Sequence, residues 1–410
     1  MTAFILKFKE TLYNREILVV TALFFNTFSW YYLCRLVVFR LAQKFTERSF
    51  GHSPLIMAYL ISIIVSAIAG AAFLRGKQRL HLLKAWIIFG ALVSLLIVIT
   101  SSNFSYLEIF VITVLLGVSL GVAMPFCLDL IRLVTIENRG KIGGIVLLTI
   151  FSSVFMLYES VSSLNLMLVG FLLAVWRVWS LPLLFLIPER TICDDDATKK
   201  PQKFTSILTN KAFLLYFTAW FMFALVDSFQ GVVMKTMASD FPFFTRLIEP
   251  SVAGFSAIVI GIIIDYIGRK PVLIVSFIFL GIADAILGLF PYHWISWLFY
   301  SVMNGLAIGS ASVLFMVIIW GELLTSTSVK LYAIGEIPFF VAEALSLPLT
   351  PFLSQVHYSS SFSLASFFLF IAVVPLVFAP ETLPEKTLKE RELRSYIEKA
   401  KRVREKFTKG

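Results

Sequence analysis

Residues 261–274 of this chain, GIIIDYIGRKPVLI, place a very short basic turn between two apolar runs of membrane-spanning length. A fainter copy, FLRGKQRL at residues 73–80, lies between another such pair, and the positions of Gly76 and Gly268 differ by 192. The positions of Pro188 and Pro380, which each follow an apolar run, also differ by 192. This spacing predicts two copies of one membrane unit, an organisation typical of secondary transporters.

The composition excludes a soluble domain. Of the 410 residues, 59% are hydrophobic and 15% charged, and the mean hydropathy is +0.88, whereas roughly half apolar is usual for soluble domains. The net charge of +10 gathers in loops and at both ends, which argues against a nucleic-acid partner. Cys34, Cys127 and Cys193 have no metal-site or disulfide spacing, so we expect no metal and no cofactor.

A helix that crosses a bilayer needs about 20 mostly apolar residues, and twelve stretches qualify. The predicted fold is an all-α polytopic membrane protein whose twelve transmembrane helices form two pseudo-symmetric six-helix bundles. We expect an N-terminal bundle at 1–187, a cytoplasmic linker at 188–210, a C-terminal bundle at 211–380 and a cytoplasmic amphipathic tail at 381–410. The predicted helices are 16–38, 54–74, 82–100, 107–129, 141–162, 165–187, 211–234, 247–265, 271–290, 294–320, 332–354 and 361–379.

The basic residues of the short loops predict the orientation. They gather in loops 2–3, 4–5, 8–9 and 10–11 and in the linker, while loops 3–4, 5–6, 9–10 and 11–12 contain no Lys or Arg. We therefore expect a multi-pass protein of the cell membrane with both termini in the cytoplasm. Arg35, Arg40, Lys44 and Arg48 depart from this pattern. They fit either an outer-surface extension of helix 1 or an electropositive entrance for an anionic solute.

Gly261, Asp265, Gly268, Arg269 and Lys270 fit the form G-x-x-x-D-x-x-G-R-K/R. This loop motif resembles that of the major facilitator superfamily, and the resemblance extends along the chain in helix count, twin halves and central loop. It implies twelve helices in two halves, with helices 1, 4, 7 and 10 lining a central cavity.

Further residues resemble the sugar-porter branch of that superfamily. They are the PER and PET triplets at 188–190 and 380–382, the Arg139–Gly140 turn and Glu322. Other positions depart from the pattern: Phe73 replaces the motif Asp in the first copy, and helix 5 has no glutamine of the sugar-binding kind. The resemblance therefore does not identify the substrate.

The motif residues, together with Arg139 and Glu322, imply a conformational latch between the halves. Asp265 would meet the positive N-terminal end of a neighbouring helix, and helix 5, with Gly143 and Gly144 near its start, is the expected partner. The alternative is a solvated loop carboxylate.

Glu343 lies about eleven residues into predicted helix 11, near the bilayer midplane. A charge at that depth costs about 2.5–3.5 kcal/mol on insertion scales and usually faces protein or water. Glu343 could load and unload a proton, or it could be a paired acid that holds helices together.

Polar residues on predicted helices 1, 7 and 10 are candidates for solute contact. Asp227 and Gln230 share one face of helix 7, and Asp227 is a second candidate for proton coupling. Asn304 lies at mid-depth in helix 10, while Asn26 and Trp30 are one turn apart in helix 1. Each of them could instead be a helix-packing residue.

The sequence favours alternating-access transport of a small solute, coupled to protons, by a monomer in the lipid bilayer. No G-x-x-x-x-G-K-[ST] loop is present, so direct ATP drive is excluded. Facilitated uniport is one alternative, and a non-transporting membrane sensor or scaffold is another. No cluster of His, Cys or carboxylates has catalytic spacing, so we expect that the chain is not an enzyme.

Overall fold

The computed structural model describes residues 15–43, 53–73, 79–99, 105–134, 136–186, 203–237, 244–323 and 328–383. Within these ranges the regular structure is helical throughout. Twelve long helices, α1–α12, follow one another along the chain, and three of them are built from consecutive segments. Their bounds are α1 Arg15–Gln43, α2 Ser53–Phe73, α3 Arg79–Ile99, α4 Tyr106–Gly121 with Met124–Asp129, α5 Arg139–Ser162, α6 Leu166–Val178, α7 Lys211–Met237, α8 Glu249–Ile267, α9 Arg269–Leu289, α10 Trp294–Ala311 with Ser312–Ile318 and Ile319–Leu323, α11 Ser328–Gly335 with Ile337–Leu353, and α12 Tyr358–Phe378.

These helices confirm the predicted all-α membrane fold. Eleven helices of the described residues are long and apolar enough to cross a membrane, and α5, with 24 residues, is the twelfth long helix. Two boundaries differ from the prediction in a way that matters for the site. Helix α1 continues to Gln43, five residues beyond 38, and α11 begins at Ser328, four residues before 332.

Three helices are interrupted along their length. Helix α4 breaks before Pro125, helix α10 contains the π-helical segment Ser312–Ile318, and α11 breaks at Glu336 before Pro338. Proline lacks a backbone N–H and cannot continue the preceding hydrogen-bond ladder. Such irregular segments near a membrane midplane are tolerated where protein or a cavity surrounds them.

Helices α1–α6 pack mainly on one another, as do α7–α12, and the halves meet along the pairs α5–α8 and α2–α11. Glycines permit the closest approach. A Cβ on Gly140 would collide with the Gly261 carbonyl oxygen, and one on Gly261 would collide with that of Gly140. The α5 and α8 backbones therefore touch because neither helix has a side chain there.

In keeping with the predicted orientation, we call the side of the α4–α5 and α8–α9 turns the inner side. The short helix Phe204–Leu208 precedes α7 there; its Ile207 is buried, while Leu208 is exposed. The predicted amphipathic tail lies outside the described residues, which end at 383, and so does most of the linker. Gly76 and Pro188, which mark the first copy of the repeat, are also outside them.

Candidate functional site

Asp265, at the inner end of α8, binds the start of α5 in the other half. Its Oδ1 accepts a hydrogen bond from the backbone N–H of Gly140 at 3.1 Å, and its Oδ2 accepts one from that of Lys141 at 3.1 Å. A carboxylate in this place satisfies two free amides of the helix N-terminus and meets the positive end of its dipole. The contact lies nearer the helix start than the expected position at Gly143 and Gly144.

Glu322, at the inner end of α10, contacts two arginines, one from each half. Arg269 of α9 donates to it through Nε at 3.3 Å and Nη2 at 3.1 Å, and Nη1 of Arg139, from α5, lies 3.7 Å from Oε1. The Arg269 guanidinium also lies 3.3 Å from Asp265. The side chains of Arg269 and Glu322 are 0% and 2% exposed. We call Asp265, Arg139, Arg269 and Glu322 the inner latch.

The start of α9 is held from within its own half. Gly268 has φ 113°, a conformation that favours glycine, and it turns the chain directly from α8 into α9. The N–H groups of Arg269 and Lys270 donate to the Glu381 carboxylate at 2.8 and 3.1 Å. The Thr382 hydroxyl donates to Glu322 at 3.0 Å. The PET triplet therefore caps α9 through Glu381 and contacts the acid of the inner latch through Thr382.

A second contact between the halves joins α11 to α4. The hydroxyl of Ser328, the first residue of α11, donates a hydrogen bond to Oδ1 of Asp129 at the end of α4. Both residues are buried. Together with the inner latch, this contact closes the inner side of the molecule.

A cavity of about 360 Å³ lies between the halves, above these contacts. Side chains of α1 and α4 line it from one half, and those of α10 and α11 from the other. They include Thr27, Phe28, Tyr31, Tyr32, Met316, Glu336, Phe339 and Phe340. A smaller cavity of about 210 Å³ adjoins Glu336 and Phe340 as well. The resemblance implied that α7 lines the cavity, whereas in this conformation α11 lines it instead.

An ion pair joins the two halves toward the outer side. Nη2 of Arg35, in α1, lies 2.6 Å from Oε1 of Glu343, in α11, and their side chains are 44% and 14% exposed. Asp227 of α7 lies close enough to interact electrostatically with both. Arg40, further along α1, instead donates to the carbonyl oxygens of Val161 and Leu164. The two arginines are therefore engaged with protein groups, and Lys44 and Arg48 lie outside the described residues.

Asn26 and Trp30 lie inside the N-terminal half, away from the cavity. The Asn26 amide donates to the Trp176 carbonyl oxygen at 2.5 Å and accepts from Arg177 Nη1 at 2.9 Å. The Arg177 guanidinium also lies 4.7 Å from the Trp30 ring and 3.9 Å from the Trp86 ring. Both predicted solute contacts are thus occupied by one buried arginine, which the rings stabilise through cation–π interactions. The face of α1 that lines the cavity is that of Thr27, Phe28 and Tyr31.

The two predicted amides of the C-terminal half also have protein partners. Gln230 Nε2 donates to Asp284 Oδ1 at 2.7 Å, and both residues are buried. The buried Asn304 lies beside the Glu249 side chain. Among the residues predicted to contact solute, Asp227 is the one that is only partly buried. The geometry therefore brings Asp227, Glu343 and Arg35 together and leaves Gln230 and Asn304 in helix packing.

Glu336 is a cavity residue that the sequence analysis missed. The predicted start of helix 11 at 332 placed this acid near the membrane surface, where water can hydrate a carboxylate. Because α11 begins at Ser328, Glu336 lies deeper, at the break between its two segments. It is 4% exposed, and its Oε1 has no hydrogen-bond partner. Gly335 and Pro338, which lie on either side of it, are the sequence features that could have indicated a break in helix 11 at this point.

The fold and the site define a class: a polytopic helical membrane protein of two bundles enclosing a cavity, with contacts between the bundles on both sides of it. The sequence profile of the Major Facilitator Superfamily matches residues 248–407. The predicted resemblance to that superfamily is thus confirmed by sequence over those residues. Among curated proteins, none matches the sequence significantly.

Solved structures share the fold at low sequence identity. The proton:xylose symporter XylE bound to 6-bromo-6-deoxy-D-glucose superposes with a TM-score of 0.69 and 15% identity, covering 90% of this chain and 96% of that one. A double-tryptophan mutant of XylE gives 0.65 and 16%, with 94% and 98% covered. The human organic anion transporter MFSD10 gives 0.61 and 12%, with 88% and 99% covered.

Proposed function

We propose that the chain is a secondary transporter of the cell membrane that moves a small solute by alternating access and couples its movement to protons. The observation that carries the proposal is the cavity between the halves, which has the inner latch below it and the Arg35–Glu343 pair above it. A site enclosed between two such contacts can open to one side when one of them breaks. The fold shared with XylE, described as a proton symporter, supports the same function.

The inner latch would set the resting conformation. Its carboxylates and guanidiniums are almost fully buried. Their mutual attraction offsets the free-energy cost of removing them from water only while all partners are in place. Rocking of the halves would separate Asp265 from α5 and Glu322 from Arg139. We therefore infer that an inward-opening step breaks these contacts together.

Protonation of Glu343 would be coupled to the opening of the outer side. While ionised it attracts Arg35 across the cleft, and protonation removes that attraction. The Arg35 side chain is nearly half exposed and that of Glu343 is 14% exposed, and the proposed coupling requires that water reaches this pair from the outer side. Asp227, which interacts with both residues, would be the acid that takes over Arg35 when Glu343 is neutral.

Reconstitution into liposomes tests this function. An inward proton gradient should drive accumulation of a radiolabelled solute from a panel of sugars, organic acids, amino acids and organic cations. Glu343→Gln should abolish the accumulation but leave solute exchange without a gradient intact, whereas a uniporter would not accumulate solute at all. Glu108→Gln, which changes an exposed acid at the α4 N-terminus, is the control and should behave as the wild type. Failure of every solute to exchange would favour a sensor or scaffold.

A further inference from the structure

Glu336 is a cavity acid whose charge no described side chain balances. It is 4% exposed and its Oε1 has no hydrogen-bond partner. In the described part of the chain no Lys or Arg pairs with it. The arginines that join the two halves are engaged elsewhere, since Arg35 binds Glu343 and Arg139 and Arg269 bind Glu322. A buried carboxylate in this state is costly unless a proton or a cation neutralises it.

Glu336 borders free space between the two halves. It lines both the cavity of about 360 Å³ and the adjoining one of about 210 Å³. The break in α11 at this residue interrupts the regular helix. The free space of about 360 Å³ includes space open to the surroundings, and its walls belong to both halves, so rocking of the halves would change its size.

Aromatic rings form most of the remaining wall. Tyr31 of α1 meets Phe339 and Phe340 of α11 edge to face, with centroids 6.3 and 5.9 Å apart. Phe28 and Tyr32 complete the lining on the α1 side. Ring faces carry negative electrostatic potential and attract cations, most of all organic ones in a dry site. One carboxylate among several rings is the arrangement that recognises an ammonium group.

We propose that the cavity binds a small organic cation, an amine or a quaternary ammonium with an apolar body. Glu336 neutralises its charge, and Phe28, Tyr31 and Phe340 pack against its body. This assignment rests on the proposed function and names the substrate class of that same site.

Two other solute classes fit these walls poorly. An organic anion would enter a cavity whose charged wall residue is itself acidic. A sugar presents several hydroxyl groups that each need a partner, and the wall is predominantly apolar: its polar side chains are those of Thr27, Tyr31, Tyr32 and Glu336 among the described lining residues. The apolar rings and the single carboxylate favour the cation over both.

Equilibrium dialysis of the purified full-length protein with radiolabelled benzyltrimethylammonium tests the assignment. This probe has a fixed charge, so pH alters the protein and not the ligand. We expect saturable binding to the wild type, at least tenfold weaker binding to Glu336→Gln, and weakening of several-fold for Phe28→Leu, which keeps the carboxylate. Glu108→Gln should match the wild type within twofold. Neopentylbenzene, the neutral isostere, should not displace the probe, and neither should D-xylose or phenylacetate.

The outcomes separate this inference from the proposed function. Equal binding to the wild type and to both cavity variants would place the cation elsewhere and overturn the assignment. Displacement by phenylacetate or D-xylose would overturn it as well. Absence of binding, combined with liposome exchange of another solute class, would overturn the assignment while leaving the transporter intact. Binding that depends on Glu336 but is accompanied by no exchange in liposomes would support the site and contradict transport.

Discussion

Arg35 and Glu343 form an ion pair of 2.6 Å that connects α1 of one half to α11 of the other. The inner side has several buried contacts between the halves, whereas this pair is partly exposed. Because the Arg35 side chain is nearly half exposed, we expect the pair to contribute about as much as an exposed one, on the order of 1 kcal/mol. The outer contact is therefore the weaker of the two and would open first.

The first prediction concerns this pair. Arg35→Met, Glu343→Gln and the double variant should each widen the outer side, and the two single changes should not add, with a coupling of about 1 kcal/mol, or roughly fivefold in population. Electron–electron distance measurements between spin labels at Ser163 and Ser354, both exposed beyond the outer ends of α5 and α11, would report the opening. Cys193→Ser provides the background, since Cys34 and Cys127 are buried. Fully additive effects would show that the pair does not hold the halves together.

The second prediction compares two carboxylates that each accept two backbone amides at a helix start. Asp265 does so across the halves, at α5, and Glu381 does so within the C-terminal half, at α9. Asp265→Asn should raise the inward-open population about tenfold, because hydrogen bonds to a charged group contribute about 1.5–3 kcal/mol. Spin labels at Phe73 and Thr209, exposed near the inner ends of α2 and α7, would measure it.

Glu381→Gln is the matched control for that experiment. It should lower the thermal stability without changing the distance between the inner labels, since both partners belong to one half. If it opened the inner side as far as Asp265→Asn does, the effect would come from general loosening, and Asp265 would have no specific role as a latch.

The third prediction concerns Glu322, whose removal leaves Arg139 and Arg269 without this partner. Breaking a buried ion pair from one side usually costs about 3–5 kcal/mol, so Glu322→Ala should markedly lower the melting temperature in detergent. Glu322→Gln should be milder because it keeps an acceptor for Arg269 and Thr382. The exposed change Glu108→Gln should have little effect. Equal melting temperatures for all four proteins would contradict a structural role for the inner latch.

The sequence predicted the helices well because a bilayer requires long apolar runs, and these are visible in the composition of each segment. It also predicted a contact between Asp265 and the start of helix 5, since a carboxylate after an apolar run and a glycine-rich helix start are complementary. Glu322 and Arg139 were singled out by resemblance, and they lie in the same cluster.

The rotation of each helix about its axis could not be predicted, because the apolar side chains give most helices no dominant polar face. Asn26 and Trp30 were therefore assigned to the cavity, whereas Arg177, 151 positions from Asn26, binds them inside the half. Glu336 was missed because a start that differs by four residues changes the depth of an acid by more than one turn. Long-range pairing such as Arg35–Glu343 likewise depends on tertiary packing.

The last prediction concerns the contact of α5 with α8. Gly140 and Gly261 lie so close that a Cβ on either meets the other's backbone, and backbone atoms cannot move aside as a flexible side chain can. Gly261→Ala should therefore push the two helices apart at a cost of about 1–3 kcal/mol, and it should weaken the nearby hydrogen bonds of Asp265 to α5. Gly231→Ala is the matched control, since a Cβ there has nothing within 4 Å; in a helix that change should be neutral or stabilising by up to about 1 kcal/mol. Melting temperatures and the inner spin-label distance would be measured for both. A Gly261→Ala protein with the stability and inner distance of the wild type would mean that close backbone contact is not what closes the inner side.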